Sequence, residues 1–244
     1  MKKESLYERH FKRLLDILCS LTAIIVFGWL YIVVAIMVRV KLGSPVLFKQ
    51  PRPGKVDPKT GRERIFNMYK FRTMSDERDE NGNLLPDEFR LGKFGKALRA
   101  TSLDELPEAI NILRGDMSVI GPRPQLVRDM VFMTDEQRMR HTVRPGLSGL
   151  AQTRGRNALS WDGKLSADLD YIQNVSFWGD MNIIFDTVKQ VFFGKKGLEN
   201  GDVDEVDITD DFGDYLLKAG RVSKEEYKGK QTEAVEILAK HLKK

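Results

Sequence analysis

The feature that most constrains this chain is a run of 22 residues without a charge, residues 17–38, "ILCSLTAIIVFGWLYIVVAIMV". As one continuous α-helix the run would extend roughly 33 Å, which matches the hydrocarbon core of a bilayer. A cleaved signal peptide is disfavoured, because the apolar region is long and is followed by "VRVKLGSP" rather than by a small-residue cleavage site. The run therefore predicts a membrane segment that stays in the mature protein.

Basic residues flank this run on both sides, and Lys and Arg collect at the cytoplasmic ends of membrane segments. A helix that enters the bilayer, bends near Gly28 and returns would keep both clusters at the cytoplasmic surface, so we predict a re-entrant helix. An ordinary single span is the alternative, because glycine breaks helices less strongly than proline does. The flanking residues are Lys2, Lys3, Arg9, Lys12 and Arg13 before the run and Arg39, Lys41, Lys49, Arg52 and Lys55 after it.

The charge distribution fits a protein at a membrane surface. Residues 1–195 carry 31 Lys and Arg against 23 Asp and Glu, whereas residues 196–244 carry 9 against 12. Such a basic surplus favours anionic lipid headgroups or phosphorylated substrates. Nucleic acid is not an expected partner, because the aromatic and basic interleaving of a base-stacking surface is missing. The single cysteine, Cys19, cannot form an internal disulfide, which favours a reducing compartment or a membrane setting.

Beyond the membrane segment the pattern predicts an α+β fold, mostly helical, with amphipathic interfacial helices and a small β-hairpin or sheet. The hairpin is expected from "SPVLFKQPRPG" and "RIFNMYKFRTM" around the turn "DPKTGR". Residues 79–90 are expected to form a loop, and "GKFGKALRA" a short helix that could lie on the membrane through Phe94 and Leu98. A further helix is predicted within "DEQRMRHTVRPGLSG", ended by Pro145 and Gly146.

Three regions are predicted along the chain: a membrane-associated helix in residues 1–43, a cytoplasmic catalytic domain in 44–195, and a C-terminal extension in 196–244. The extension begins with residues 199–214, which hold eight acids and no base, and continues into a helical pattern. We interpret it as a solvated appendage, with a partner contact as the alternative.

The segment "LRATSLDELPEAINILRGDMSVIGPRP", residues 98–124, places the carboxylates Asp104 and Glu105 among arginines. Thr101 or Ser102 lies three residues before one of these acids, which is the spacing of a capping box, so capping alone is one interpretation. Because proline is tolerated only in a first turn, Pro107 predicts a helix that begins near the acids and stops at Gly115.

That position also suits chemistry on a phosphate. A helix N-terminus attracts anions, and Arg99 adds positive charge. Mg²⁺ commonly binds through one or two carboxylates together with substrate phosphates, and the sequence has no His and Cys cluster that would suit zinc. Arg123, held between Pro122 and Pro124, is placed as a preorganised phosphate fork.

Four blocks of the sequence resemble the signature blocks of the bacterial small monotopic phosphoglycosyl transferases, which make up the bacterial sugar transferase family. The blocks are "YKFRTMSDERD", "LGKFGKALRATSLDELPE", "NILRGDMSVIGPRP" and "VRPGLSGLAQTRGRNALSW". The resemblance covers about residues 8–195 and, within the family, is greatest to the enzymes that transfer N,N′-diacetylbacillosamine 1-phosphate. Many members break the membrane helix with a proline, whereas the matching centre here is "IVFGWLY".

The resemblance implies transfer of a sugar 1-phosphate from a UDP-sugar to undecaprenyl phosphate, with release of UMP, at the cytoplasmic face of the bacterial inner membrane. It implies Mg²⁺, bound at Asp104, as the cofactor. By the matching motif Asp104 would be the nucleophile and Glu105 would assist the lipid phosphate. The basic positions around the phosphates would be Lys70, Arg99, Arg123 and Arg144.

Simpler roles remain open for some of these residues. Lys70 could be a solvated strand residue, and Arg144 could be a partner of a helix C-terminus. Two other classes of function also remain: a membrane-anchored scaffold for glycan-assembly partners, and a peripheral protein that binds anionic lipid. Neither of these would release UMP. The oligomeric state is not predicted.

Overall fold

The computed structural model describes residues 5–155, 159–193 and 211–243. It is 59% helical with small sheets, as the predicted mixed and mostly helical class requires. The strands are β1 (Leu47–Asp57), β2 (Arg62–Phe71), β3 (Ser118–Ile120) and β4 (Gly146–Ser148). The helices are α1 (Lys12–Val26), α2 (Gly28–Leu42), α3 (Asp87–Arg90), α4 (Lys93–Ala100), α5 (Glu108–Arg114), α6 (Val127–Met130), α7 (Asp135–Arg138), α8 (Leu150–Arg154), α9 (Trp161–Gln173), α10 (Phe177–Phe193), α11 (Phe212–Lys218) and α12 (Lys224–Leu242).

The chain divides into two compact units. The first unit comprises Met1–Asp16, Pro51–Phe66 and Gly115–Lys244, and the second comprises Ile17–Gln50 and Asn67–Arg114. The predicted hairpin is present, because β1 pairs with β2 across a turn in which the Gly61 amide donates to the Asp57 carbonyl at 2.8 Å. Within this hairpin residues 51–66 belong to the first unit, and the ends of the two strands belong to the second.

The apolar run of the second unit is broken where the sequence predicted a bend. α1 ends at Val26, Phe27 leaves the helical conformation with φ −99° and ψ 11°, and α2 begins at Gly28. The two helical segments, Tyr7–Val26 and Gly28–Leu42, are bent by 64°. Among the described residues no unbroken helix has the length and apolar character of a membrane span, whereas this bent pair has both.

The core of the second unit is formed by Val34 and Val38 of α2, Phe71 of β2 and Leu98 of α4. α4 is the short helix that the sequence predicted, but its apolar side is directed into protein, because Leu98 is buried and Phe94 packs against the same cluster. Leu98 therefore does not supply the membrane contact that was expected of it, whereas Phe94 is only partly buried. The outward-facing apolar side chains lie on α1 and α2 instead, among them Ile25, Trp29, Ile32, Ile36 and Val40.

The first unit has two apolar clusters. One contains Tyr171, Ile172 and Ile183 beside the short parallel pair β3 and β4, in which Ser118 is opposite Gly146 and Ile120 is opposite Ser148. The helix predicted before Pro145 ends earlier, with α7 and a 3₁₀ turn at Met139–Thr142, because residues 146–148 extend to pair with β3.

The other cluster shows that the C-terminal helices are part of the fold. Phe212 and Leu216 of α11 and Ala234 of α12 are buried against Met130 and Trp161. The interpretation of the C-terminal extension as a solvated appendage is therefore wrong for residues 212–242, since these apolar side chains complete a core. Most of the acidic stretch 199–214 lies outside the described residues.

Candidate active site

The predicted carboxylates lie on a turn of their own rather than at the start of a helix. Ser102 has a positive φ of 55° and is followed by a one-turn 3₁₀ helix, Leu103–Glu105, that contains both acids. The α-helix begins only after Pro107, at Glu108, and ends as predicted before Gly115, whose φ is +88°. The predicted helix start is three to four residues too early. The backbone hydrogen bonds around Pro107 join residues three apart, as in a 3₁₀ helix, rather than four apart.

The capping-box interpretation of the acids is wrong. The Ser102 side chain makes no capping hydrogen bond. The Thr101 hydroxyl donates backwards, at 3.0 Å to the carbonyl of Ala97 or Leu98, so it does not cap the turn either. Neither hydroxyl therefore forms the capping box that the spacing suggested.

Asp104 is buried, with 7% of its surface exposed. Its carboxylate makes no ion pair within 4 Å across the described ranges. Burial raises the pKa of Asp104, and the Glu105 carboxylate adds to this rise. Lys70 and Arg99 lower the pKa of Asp104 and so oppose the effect of burial. An anion that is poorly solvated and only partly compensated by nearby cations is more nucleophilic than a carboxylate in water.

Lys70 of β2 lies between two carboxylates. Its Nζ is 2.7 Å from Glu105 Oε1 and 3.2 Å from Glu108 Oε1, and 17% of its side chain is exposed. It is therefore a paired residue and not the solvated strand residue that was considered as an alternative. Glu108 was not singled out from the sequence. Its position three residues after Glu105, on the same side of the chain, is the signal that could have found it.

Arg99 is held by a close approach between α4 and the segment after β2. A Cβ on Gly95 would lie 1.9 Å from the Thr73 carbonyl oxygen, so only glycine permits this approach. One turn further along α4, the Arg99 Nε donates to Thr73 Oγ1 at 3.1 Å. The glycine thus allows α4 to lie close enough to Thr73 for Arg99 to make this bond.

Asn111 locks α5 to β2 and is fully buried. Its Oδ1 accepts from the Tyr69 amide at 3.0 Å, and its Nδ2 donates to the Asn67 carbonyl at 2.8 Å. The residue that follows Tyr69 is Lys70, so this lock fixes Glu108 of α5 relative to the lysine. An amide side chain within the apolar run of α5 was the sequence signal for this role.

The structure brings together Lys70, Arg99, Asp104 and Glu105 within the second unit. Arg123 and Arg144 belong to the first unit. The Arg123 side chain is exposed between buried prolines. Arg144 donates from Nε to the Gly115 carbonyl at 2.9 Å.

The segment that carries Arg123 is rigid. Its three consecutive carbonyls each accept a hydrogen bond: Pro122 from the Gly146 amide at 2.9 Å, Arg123 from Arg140 Nη2 at 2.6 Å and Pro124 from Arg52 Nη1 at 3.1 Å. The stiff backbone that two prolines predicted is therefore confirmed. Its role in binding phosphate stays a prediction.

In the part of the chain that the structure describes, no group of three or more His, Cys, Asp and Glu residues could hold a metal. Asp104 offers a single buried carboxylate, and Mg²⁺ commonly binds through one or two carboxylates together with substrate phosphates. Binding of Mg²⁺ at Asp104 stays a prediction.

Comparison with known proteins identifies a family that this chain matches. Residues 7–194 match the family model described as bacterial sugar transferase. The "uncharacterized sugar transferase EpsL" of Bacillus subtilis is 46% identical over 180 residues, which cover 74% of this chain and 86% of that protein.

Two relatives carry specific names. A UDP-N-acetylgalactosamine-undecaprenyl-phosphate N-acetylgalactosaminephosphotransferase of Aeromonas hydrophila is 37% identical over 192 residues, covering 75% of this chain and 44% of that protein. A UDP-glucose:undecaprenyl-phosphate glucose-1-phosphate transferase of Caulobacter vibrioides is 34% identical over 187 residues, covering 72% and 68%. The chain thus spans less than half of some relatives and most of others.

The family match covers more than half of the chain, so the chain belongs to the bacterial sugar transferase family and is a transferase.

Proposed function

We propose that this protein transfers a sugar 1-phosphate from a UDP-sugar to undecaprenyl phosphate and releases UMP. The observation that carries the proposal is Asp104, a buried carboxylate whose pKa is raised by burial and held down by Lys70 and Arg99. The proposal is supported by relatives whose names describe transfer of glucose 1-phosphate or N-acetylgalactosamine phosphate to undecaprenyl phosphate.

In the first half-reaction an Asp104 carboxylate oxygen attacks the phosphorus that bears the sugar. An oxygen–phosphorus bond forms to Asp104, and the bond from the same phosphorus to the bridging oxygen breaks. The bridging oxygen keeps the electron pair and leaves as part of UMP. A covalent intermediate lets a soluble donor and a lipid acceptor use one site in turn, which is the general advantage of nucleophilic catalysis.

In the second half-reaction a phosphate oxygen of undecaprenyl phosphate attacks the same phosphorus. The bond to Asp104 breaks and the carboxylate is regenerated, while the sugar is left on a lipid diphosphate. Glu105 is the accessible carboxylate of the pair, with 22% of its side chain exposed, and it assists the incoming phosphate by accepting its proton. Arg99, Arg123 and Arg144 are the proposed phosphate contacts, in keeping with the donor geometry of arginine.

Mg²⁺ is the proposed cofactor, held by Asp104 together with the donor diphosphate. When bound, the ion would neutralise charge on the phosphates. Among the residues of the chain, Lys70 and Arg99 stabilise the ionised Asp104. Residues 122–124 hold Arg123 for its proposed contact with a phosphate.

The bent apolar pair is proposed to be a re-entrant membrane helix at the cytoplasmic face of the bacterial inner membrane. The exposed apolar side chains of α1 and α2 and the basic flanks on both sides support this placement. A membrane-level site would meet a lipid-linked acceptor without removing it from the bilayer.

The donor sugar is the finer part of the proposal. The sequence blocks predicted N,N′-diacetylbacillosamine as the donor sugar, whereas the relatives above are named for glucose and N-acetylgalactosamine. A panel of UDP-sugars, assayed for UMP release with undecaprenyl phosphate and Mg²⁺, identifies the donor.

The decisive experiment omits the acceptor. With UDP-sugar alone the enzyme should release up to one UMP per active site, and mass spectrometry should find the sugar phosphate on the peptide that contains Asp104. Asp104→Asn should lower turnover at least about 10³-fold, because it removes the attacking group. Near wild-type turnover in this variant, or an adduct on another residue, would refute the assignment. A membrane scaffold or a lipid-binding protein would release no UMP.

A further inference from the structure

The two carboxylates that share the Lys70 ammonium differ in exposure. The Glu105 side chain is 22% exposed, whereas the Glu108 side chain is 4% exposed. A substrate can reach Glu105 and compete for it, but Glu108 is enclosed by the packing of α5. A buried carboxylate is costly to leave without a cation, so Glu108 holds the lysine more persistently than its exposed neighbour does.

The backbone around this pair is fixed independently of any substrate. Asn111 lies one helical turn after Glu108 and bonds the Asn67 carbonyl and the Tyr69 amide. Lys70 follows directly in β2. The separation between Glu108 and Lys70 is therefore set by a buried main-chain contact and does not depend on Glu105.

The proposed reaction makes different demands on the two carboxylates. Glu105 assists the lipid phosphate in the second half-reaction, so it has to turn away from Lys70 at that stage. If it were the lysine's single partner, the ammonium would then move from its place near Asp104. A second, buried partner removes this conflict.

We propose that Glu108 is a positioning residue that holds the Lys70 ammonium beside Asp104, so that Glu105 can leave the lysine and engage the acceptor phosphate. This inference rests on the proposed function, which it deepens by assigning separate roles to the two carboxylates. Glu108 does not touch the reacting phosphorus and acts through Lys70.

A double-mutant cycle tests the proposal in the full-length enzyme in detergent or nanodiscs. The variants are Glu108→Gln, Lys70→Met and the double variant, with Glu88→Gln, a change of an exposed carboxylate in the same unit, as the matched control. The burst of UMP without acceptor and the single-turnover transfer to undecaprenyl phosphate are measured separately. Thermal unfolding of every variant is measured alongside.

Glu108→Gln should slow transfer at least about tenfold and slow the burst less, because Glu105 is then tied to the lysine during the second step. In the Lys70→Met background the same change should alter either rate by less than about twofold. A structural role alone would lower the unfolding temperature and slow both steps equally in both backgrounds. Equal slowing in the two backgrounds overturns the proposal, and so does unchanged transfer in Glu108→Gln together with equal bursts in the comparison that follows.

A second comparison covers the case in which Gln still binds the lysine through its amide oxygen. Glu105→Gln combined with Glu108→Leu should have a burst at least about tenfold slower than Glu105→Gln alone, because Lys70 then has neither carboxylate. Equal bursts show that Glu108 does not hold Lys70. A wild-type enzyme that releases no UMP from any UDP-sugar refutes the proposed function itself and is distinguished from these outcomes, in which the wild type is active.

Discussion

Asn111 offers a direct test of how the site is built, because its effect follows from two hydrogen bonds of its buried side chain. Asn111→Ala removes the acceptor of the Tyr69 amide and the donor to the Asn67 carbonyl. Each backbone group left without a partner costs about 1–3 kcal/mol, so the two together cost about 2–6 kcal/mol. Both backbone segments are partly exposed, and water therefore keeps the value in the lower half of that range. The free energy of unfolding of a whole domain is only about 5–15 kcal/mol, so this loss of stability is large.

The assay is urea unfolding followed by far-UV circular dichroism, with UMP release measured on the same preparations. Asn111→Asp keeps the acceptor but loses the donor and buries a charge, so it should be destabilised as well. Asn81→Ala, at an exposed asparagine in the same unit, should change the free energy of unfolding by less than about 0.5 kcal/mol. If Asn111→Ala behaves like this control, the lock between α5 and β2 does not stabilise the unit.

Three further predictions follow from other sites. Gly28→Pro should keep activity, since Gly28 is the first residue of α2, where proline is tolerated. Ala23→Pro inside α1 should abolish membrane placement, which cysteine labelling measures. Equal effects of the two changes would contradict the break at Phe27. Burial lowers the pKa of His141 to about 4, so the free energy of unfolding should fall between about pH 6.5 and 4 as the unfolded state takes up the proton, and His141→Gln should flatten that slope; an unchanged slope would contradict it. Because burial raises the pKa of Asp104, the Asp104→Asn variant should be at least as stable as the wild type at neutral pH. The difference between their free energies of unfolding should vanish as the pH falls through that pKa. A clear loss of stability of the variant at neutral pH would contradict this prediction.

Local patterns of the sequence predicted the elements that depend on local physics. The hairpin, α4, the break near Gly28 and the end of α5 at Gly115 were all confirmed, because turn residues, periodicity and a positive φ are visible within a few residues. The helix start at Glu108 was misplaced, since proline permits several first-turn arrangements and the sequence does not distinguish them.

Long-range contacts were beyond such reasoning. Lys70 and Glu108 are 38 residues apart, and nothing in either segment predicts that they share an ion pair. The burial of α11 and α12 was missed for the same reason, because their apolar residues are sparse and become a core only against Met130 and Trp161. The interfacial role expected of Leu98 was likewise a local inference, and tertiary packing took that side chain into the protein.

The buried charges of the second unit oppose its stability and favour its chemistry. The Asp104 carboxylate would be more stable in water. In the proposed mechanism, the burial that raises its pKa also leaves its oxygens poorly solvated for attack on phosphorus. Lys70 and Arg99 limit this cost without forming an ion pair with Asp104, because both cations lower the pKa that burial raises. The arrangement needs a lysine held at a distance, and the carboxylates on either side of Lys70 provide that restraint. In the proposed mechanism, an ion pair between Lys70 and Asp104 would make the Asp104 carboxylate a weaker nucleophile.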